Sequence, residues 1–553
     1  MAGFNLFHGL SNAARRGGAD IEDNPRIRVS LKQVACSGMW FVFFVGLALF
    51  YEMAYPSHLL WQEQNQIFLN SSDWSATYFE RPAFIGCFVG DWLTQFYSNV
   101  AVGALILTSA VTLCVALFAV GMKRLHLRIS AWVLTTVFAA LMVSCSFASS
   151  TRLSFFICVA GGLGLGLAEL LLPQRRIEII GMAPLLVVLA YFCFGFGVLL
   201  TVWLIVMASV KRVFSSGWTR WCWVRPLVAV AFCLTLPLSY SGVLPYEKGL
   251  LYPGPASPSM PQMLSEERMA IADAFYKRDF AKAKRLAEDA SSPDDVIAFY
   301  YYLSSAMQDS LPECLLRYPV RNLGTLTSIS DKSPLTVINM MNDLYYELGD
   351  MTYAERAAMM RNVFSPRNRN VRMIQRLAEV NLVSGDTLAA LKYLRILDRT
   401  HSYADWSSSH IPGSMEPDVE ADIMRRRACS NAKDNIRLGD NARNIILELL
   451  ESNPGNTVAL DYLLCTDLLL KDMDTFKMDY DTYCMAKGAP RYRDLYQQAL
   501  MIYLAGTDAP QEEWDRYIVS GPQLQAFRAY SSRRGDPAFK DTYWYYFDRY
   551  KNS

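Results

Sequence analysis

Charge is scarce in this chain of 553 residues. Asp, Glu, Lys and Arg make up 19% of it, against about 25% in soluble globular proteins. An excess of either sign is scarcer still. Lys and Arg number 53 and Asp and Glu 52, a net charge of +1, so no global field draws in nucleic acid and a DNA- or RNA-binding role is excluded. Histidine occurs five times, at His8, His58, His126, His401 and His410, scattered without metal-ligand spacing. No Cys-x-x-Cys pair occurs among the twelve cysteines. A zinc site and a Cys/His hydrolase therefore lack their residues. Strand alternation is sparse in the carboxyl half. The first 33 residues are too polar for a secretory signal, and no small-residue cleavage site follows the first apolar run. That run should stay in the mature chain.

What is present is apolar and unevenly placed. Hydrophobic residues make up 52% and mean hydropathy is +0.13, but apolar runs fill Val34 to about Leu244, and charged, amphipathic sequence follows from Ser265. About 20 apolar residues cross a bilayer as a helix. Such runs occupy Val34–Tyr55, Ser98–Met122, Ile129–Phe147, Leu153–Leu172 and Pro226–Leu244. The run Ile177–Val210 would be about 51 Å long as one helix, far beyond the roughly 30 Å hydrocarbon core. It should fold as two helices with a turn near Cys193–Gly197 (CFGFG). Cations agree, because cytoplasmic loops are rich in Lys and Arg. They cluster in the amino-terminal arm (Arg15, Arg16, Arg26, Arg28, Lys32) and in alternate connectors (Lys123, Arg124 and Arg128; Arg175 and Arg176; Lys211, Arg212, Arg220 and Arg225). The other loops between spans offer Arg81 and Arg152 alone. Seven spans satisfy this alternation, with the amino end cytoplasmic in an inner membrane and the carboxyl domain periplasmic. Gly162, Gly164 and Gly166 suit close helix packing better than a dinucleotide fingerprint, since no strand precedes them. Glu169 should snorkel towards Arg175 or Arg176.

The longest connection between spans, Pro56–Tyr97, has apolar and aromatic residues at helical spacing: Leu59, Leu60, Ile67 and Phe68, then Phe84, Phe88, Trp92 and Phe96. Such segments rest at a membrane-water boundary. Glu63, Asp73, Glu80 and Asp91 lie in the loop, with Glu52 just before it. A partly desolvated carboxylate there suits a general base or a divalent-cation ligand.

A basic amino end, one span, a long outer loop with two interfacial helices and six tightly connected spans resemble the membrane module of C-class glycosyltransferases, over about Arg28–Leu244. The resemblance implies transfer of a sugar or oligosaccharide from a polyprenyl-phosphate carrier, using an acidic residue of the first loop. Glu63, in WQEQNQ, is the best-placed match, with Glu52 and Asp91 (in GDW) behind it. On that reading Glu63 or Glu52 is the base or metal anchor, Asp91 supports it, and Arg81 neutralises the diphosphate. Gln64, His58 and Trp61 are the remaining substrate-binding candidates. Many of these enzymes have a paired acidic dipeptide after the first span; here there is none.

Beyond a linker with Pro245, Pro253, Pro255, Pro258 and Pro261, stiff and poorly helical, helical periodicity takes over from 263 to 553. NDLYYELGDMTYAERAAMM and AEVNLVSGDTLAALKYLRIL align Gly349-Asp350 over Gly385-Asp386, 36 residues apart, with Ala354 and Ala390 five positions after each Gly. FYKRDFAKAKRLA repeats the pattern at Arg278-Asp279 and Ala283, and further copies pass through Asn453-Pro454, Asp472 and Gly506. Paired helices with a Gly-Asp turn and a small residue at their contact resemble tetratricopeptide repeats. The fold class expected is therefore all-α: a transmembrane bundle followed by an α-solenoid, with a looser insert at His401–Pro417. Stacked repeats usually bind a protein or peptide. Cys314, Cys429, Cys465 and Cys484 admit two disulfides, but spacing fixes no pairing. The closing DTYWYYFDRY suits a docking segment or a capping helix.

Two functions follow. One is a membrane glycosyltransferase whose repeat domain presents the acceptor; the other is a membrane-anchored repeat scaffold without catalysis. A reporter fused after Ser553 should be active on the periplasmic side; cytoplasmic activity would break the seven-span topology.

Overall fold

The computed structural model describes residues 38–125, 128–171, 176–216, 221–323, 332–365, 368–431, 441–486, 491–518 and 520–550. The basic amino-terminal arm, residues 1–33, lies outside them. So do the side chains of Arg128, Arg175, Arg176, Arg212 and Arg220. Among the described residues the fold is all-α, without a strand.

Helix α1, Gly38–Ala54, meets α2, Pro56–Gln64, at a 75° bend. The cause is local. Tyr55 precedes Pro56, which disfavours the helical region for its neighbour, and Tyr55 sits at φ −141° and ψ 40°. Helices α3 (Ser72–Ala76) and α4 (Phe84–Thr94) complete the first loop. Then come α5 (Val100–Arg124), α6 (Arg128–Ser146), α7 (Leu153–Leu171), α8 (Arg176–Phe194), α9 (Gly197–Ser216) and α10 (Trp221–Thr235).

These helices occupy the seven expected apolar segments. By length and composition, two among the described residues can cross a membrane: Val100–Arg124 and Leu153–Leu170. The bent pair α1–α2 makes a third if taken as one span. The described parts of the others, Ala131–Ser146, Met182–Phe194, Gly197–Lys211 and Val224–Tyr240, are shorter. The long apolar run does break where expected, at Gly195 (φ +54°). That left-handed conformation favours glycine, and a Cβ there would also collide with the Tyr252 carbonyl.

Helix α7 is central and touches α4, α5, α8 and α9. Its Gly162 lies against Gly197, whose carbonyl leaves no room for a Cβ, and Thr201 Oγ1 donates to the Gly162 carbonyl at 2.8 Å. Glu169 pairs with Arg225 of α10; the side chains of Arg175 and Arg176, its expected partners, lie outside the described residues. Helix α4 docks on α7 through a glycine face. A Cβ on Gly86 would strike Cys158, and one on Gly90 would lie 2.6 Å from Ser154 Cα.

The carboxyl half is a succession of helical hairpins with one recurring turn. Met263–Tyr276, here α11, pairs with Phe280–Glu288; Leu335–Leu348 with Met351–Val363; Val371–Ser384 with Thr387–Leu397; and Thr457–Leu470 with Met473–Tyr480. Each turn has a left-handed residue, Arg278, Gly349, Gly385 or Lys471. An aspartate follows and caps the second helix: Asp279, Asp350, Asp386 and Asp472 each accept the backbone N–H three residues on. Ala283, Ala354 and Ala390 are fully buried, as close helix approach requires. Cys314, Cys429, Cys465 and Cys484 carry no disulfide. Tyr543 donates to the Leu468 carbonyl and Tyr546 to the Leu469 carbonyl, so the closing aromatics cap the helical stack.

Gly90→Leu should force α4 off α7 and lower the thermal midpoint of the purified protein, overpacking costing about 1–3 kcal/mol. Gly164→Ala, where a Cβ meets nothing within 4 Å, is the control, and its midpoint should stay near that of the wild type. Equal midpoints for the two variants would refute the glycine contact.

Candidate functional site

The first loop is clasped by the carboxyl half, and most of the candidate residues end up in that seam. It begins at the amino end of α2. The first N–H groups of a helix lack intrahelical partners. Here Glu266, on α11, accepts two of them, from Ser57 N and from His58 N at 2.9 Å. An anion at a helix amino end is also favoured by the helix dipole. Helix α2 begins after the bend, in the first loop and beyond the apolar run Val34–Tyr55.

His58 is 1% exposed and lies beside Tyr55, with ring centroids 4.8 Å apart and the planes tilted by 30°. Burial lowers its imidazole to about 4, so it is neutral at neutral pH. Trp61 faces the Arg361 guanidinium at 5.9 Å, and Gln64 donates to Asp273 at 2.7 Å. Glu63 is 5% exposed and accepts from the Tyr403 hydroxyl at 2.7 Å. Burial pushes its carboxyl up to about 8, with the Tyr403 hydrogen bond pulling the other way. Burial thus favours the protonated form of this carboxyl.

The loop continues along the same surface. Asn65 accepts from Arg361 and, at 3.2 Å, from Asn370. Val371 N donates to the Gln66 carbonyl, and Asn70 N to the Arg399 carbonyl. Ile67 and Leu69 pack with Val371, Ile374 and Leu397. Arg369 lies 3.6 Å over the Trp74 ring. Asp91 is buried in α4 and accepts from Tyr78 at 2.9 Å.

The expected constellation therefore does not assemble. Glu63 and Asp91 are tied to different tyrosines. Glu52 is exposed at the end of α1. Arg81 lines a separate cavity with Arg152. Nor do three or more His, Cys, Asp or Glu side chains converge among the described residues, so these carboxylates do not build the divalent-cation site that their chemistry allowed.

Two spaces border the seam. Glu63 adjoins one of about 10 Å³, about the least that admits one water. Next to it, between α4 and residues 398–404, is a cleft of about 610 Å³. Phe88 and Trp92 of α4 line it together with Asn70, Asp398, Arg399 and His401. The aromatic stripe expected along α4 thus faces the cleft while the glycine face meets α7. Asp398, Arg399, Tyr403 and Glu266 escaped the sequence reading. The insert around His401 was visible as an irregularity between helices, and that was the signal available.

The chain belongs to a family of unknown function (DUF6057), whose model matches residues 31–549. No curated protein and no solved structure matches it.

The raised Glu63 carboxyl has a measurable consequence. An unfolded Glu titrates near 4.5 and the folded one near 8, so its stabilising contribution is full below the first value and is lost as pH rises through the second. The thermal midpoint of the full-length protein should therefore carry a falling component over that interval. Glu63→Gln keeps an acceptor for Tyr403 and should remove that component. An unchanged pH profile in the variant would refute a neutral Glu63.

Proposed function

We propose that the protein is a membrane-anchored helical scaffold of the cell envelope. Seven apolar segments fix it in the inner membrane, with the amino end cytoplasmic. A tetratricopeptide-like solenoid stands on the periplasmic side to hold a protein or peptide partner. The observation that carries this reading is the fate of Glu63 and Asp91. Each accepts a tyrosine hydroxyl inside the seam, and the space beside Glu63 is too small for a sugar ring. Glu63 joins the two halves of the chain through Tyr403, and Asp91 ties α4 to Tyr78 within the first loop. The recurring capped turn supports the solenoid, and the alternation of basic connectors supports the orientation.

Glycosyl transfer from a polyprenyl-phosphate carrier is the second reading, favoured by the cleft of about 610 Å³. Aromatic faces beside amide, guanidinium and carboxylate groups suit a saccharide, and Asp398 is the carboxylate that lines it. On this reading the acidic function moves from the first loop to the carboxyl half.

Glycoprotein profiles separate the two. Cells lacking the gene and complemented with Glu63→Gln, Asp91→Asn or Asp398→Asn protein should match those complemented with the wild type. A glycan lost with any of these at unchanged protein level would overturn the scaffold, and loss with Asp398→Asn alone would relocate the acid to the cleft.

A further inference from the structure

Arg81 and Arg152 are far apart in sequence, yet both line one cavity of about 290 Å³. They are the two cations that the sequence places in the outer loops between apolar segments. Arg81 comes from the first loop, and Arg152 immediately precedes α7. Ser150, Thr151 and Ser154 form the wall at the amino end of α7, and Tyr252–Ala256 forms the opposite one. Neither Asp nor Glu is among the lining residues.

Three further observations concern what this cavity would hold. Thr151 is 4% exposed, and its Oγ1 has no hydrogen-bond partner. The amino end of the 19-residue helix α7 lies on this side, where the dipole favours an anion. Phe155 makes the floor apolar and stacks on Phe196 at 5.2 Å. The far wall is tied in place, since Phe196 N donates to the Tyr252 carbonyl at 2.9 Å.

We infer that this cavity binds a phosphate-bearing anion, held between the Arg81 and Arg152 guanidinium groups at the outer end of α7. Guanidinium forks match phosphate oxygens in pairs. The place of the cavity selects the source. It opens at the end of a helix long and apolar enough to cross the membrane, which the proposed topology sets at headgroup level, and Phe155 gives it an apolar surface for the first carbons of an acyl glycerol. The phosphate of an anionic membrane lipid is thus the occupant, whether the protein is a scaffold or a transferase.

The test uses full-length protein in phosphatidylcholine nanodiscs with and without phosphatidylglycerol, read by thermal midpoint and by native mass spectrometry of retained lipid. Phosphatidylglycerol should raise the midpoint and remain bound. Arg81→Gln, at the exposed rim, should weaken retention by about tenfold, the loss of one charge-assisted hydrogen bond. Arg81→Gln with Arg152→Gln should abolish it, while circular dichroism checks the helices. Inorganic phosphate supplies the other arm. If it alone displaces the lipid at comparable concentration, the cavity recognises free phosphate and the lipid assignment falls. Retention of phosphatidylglycerol by the folded double variant, or equal retention of phosphatidylcholine by the wild type, would overturn the site itself.

Discussion

A carboxylate from one half of the chain closes the open end of a helix in the other. Glu266 accepts the first N–H groups of α2, and charge-assisted bonds of this kind contribute about 1.5–3 kcal/mol each. That contact fixes the amino end of α2 on α11, and Tyr403 fixes its carboxyl end through Glu63. With both ends held, the residues that follow are delivered in register. Asn65 reaches Arg361 and Asn370, Gln66 meets Val371, and Asn70 meets Arg399. The first loop is therefore a strip of the carboxyl half's surface as much as a connection between apolar helices.

This explains why chemistry that looked catalytic in the loop is buried. An ionised carboxylate is costly to desolvate, so it finds charged partners or gives up its charge. Glu63 takes the second course, raised to about 8 beside a phenol. The space left open lies elsewhere, in the aromatic cleft on one side of α4 and the arginine-lined cavity near the start of α7.

Local patterns were readable from the residues themselves. The apolar runs gave the helices, Gly195 broke the long one, and Gly349 and Gly385 marked turns because a left-handed residue is needed there. The weaker copies are instructive. Arg278 and Lys471 take the same left-handed conformation without being glycine, and the aspartate that follows is the constant part of the turn. Long-range pairing was not readable. Nothing in WQEQNQ announces that Glu63 meets a tyrosine from an irregular insert, because such contacts have neither period nor spacing. Lengths and apolarity sufficient to cross a membrane were readable for α5 and α7, while the other apolar helices are shorter among the described residues.

Helix α4 has two opposed faces. One face is glycine and presses on α7; the other, about 200° around at two residues on, is aromatic and open to the cleft. Its glycine side leaves no slack, since a single methyl group at Gly90 would already overlap Ser154. The cleft wall is thus one helix set hard against its support, α7. Whatever enters the aromatic cleft meets a wall that yields only if the whole of α4 shifts.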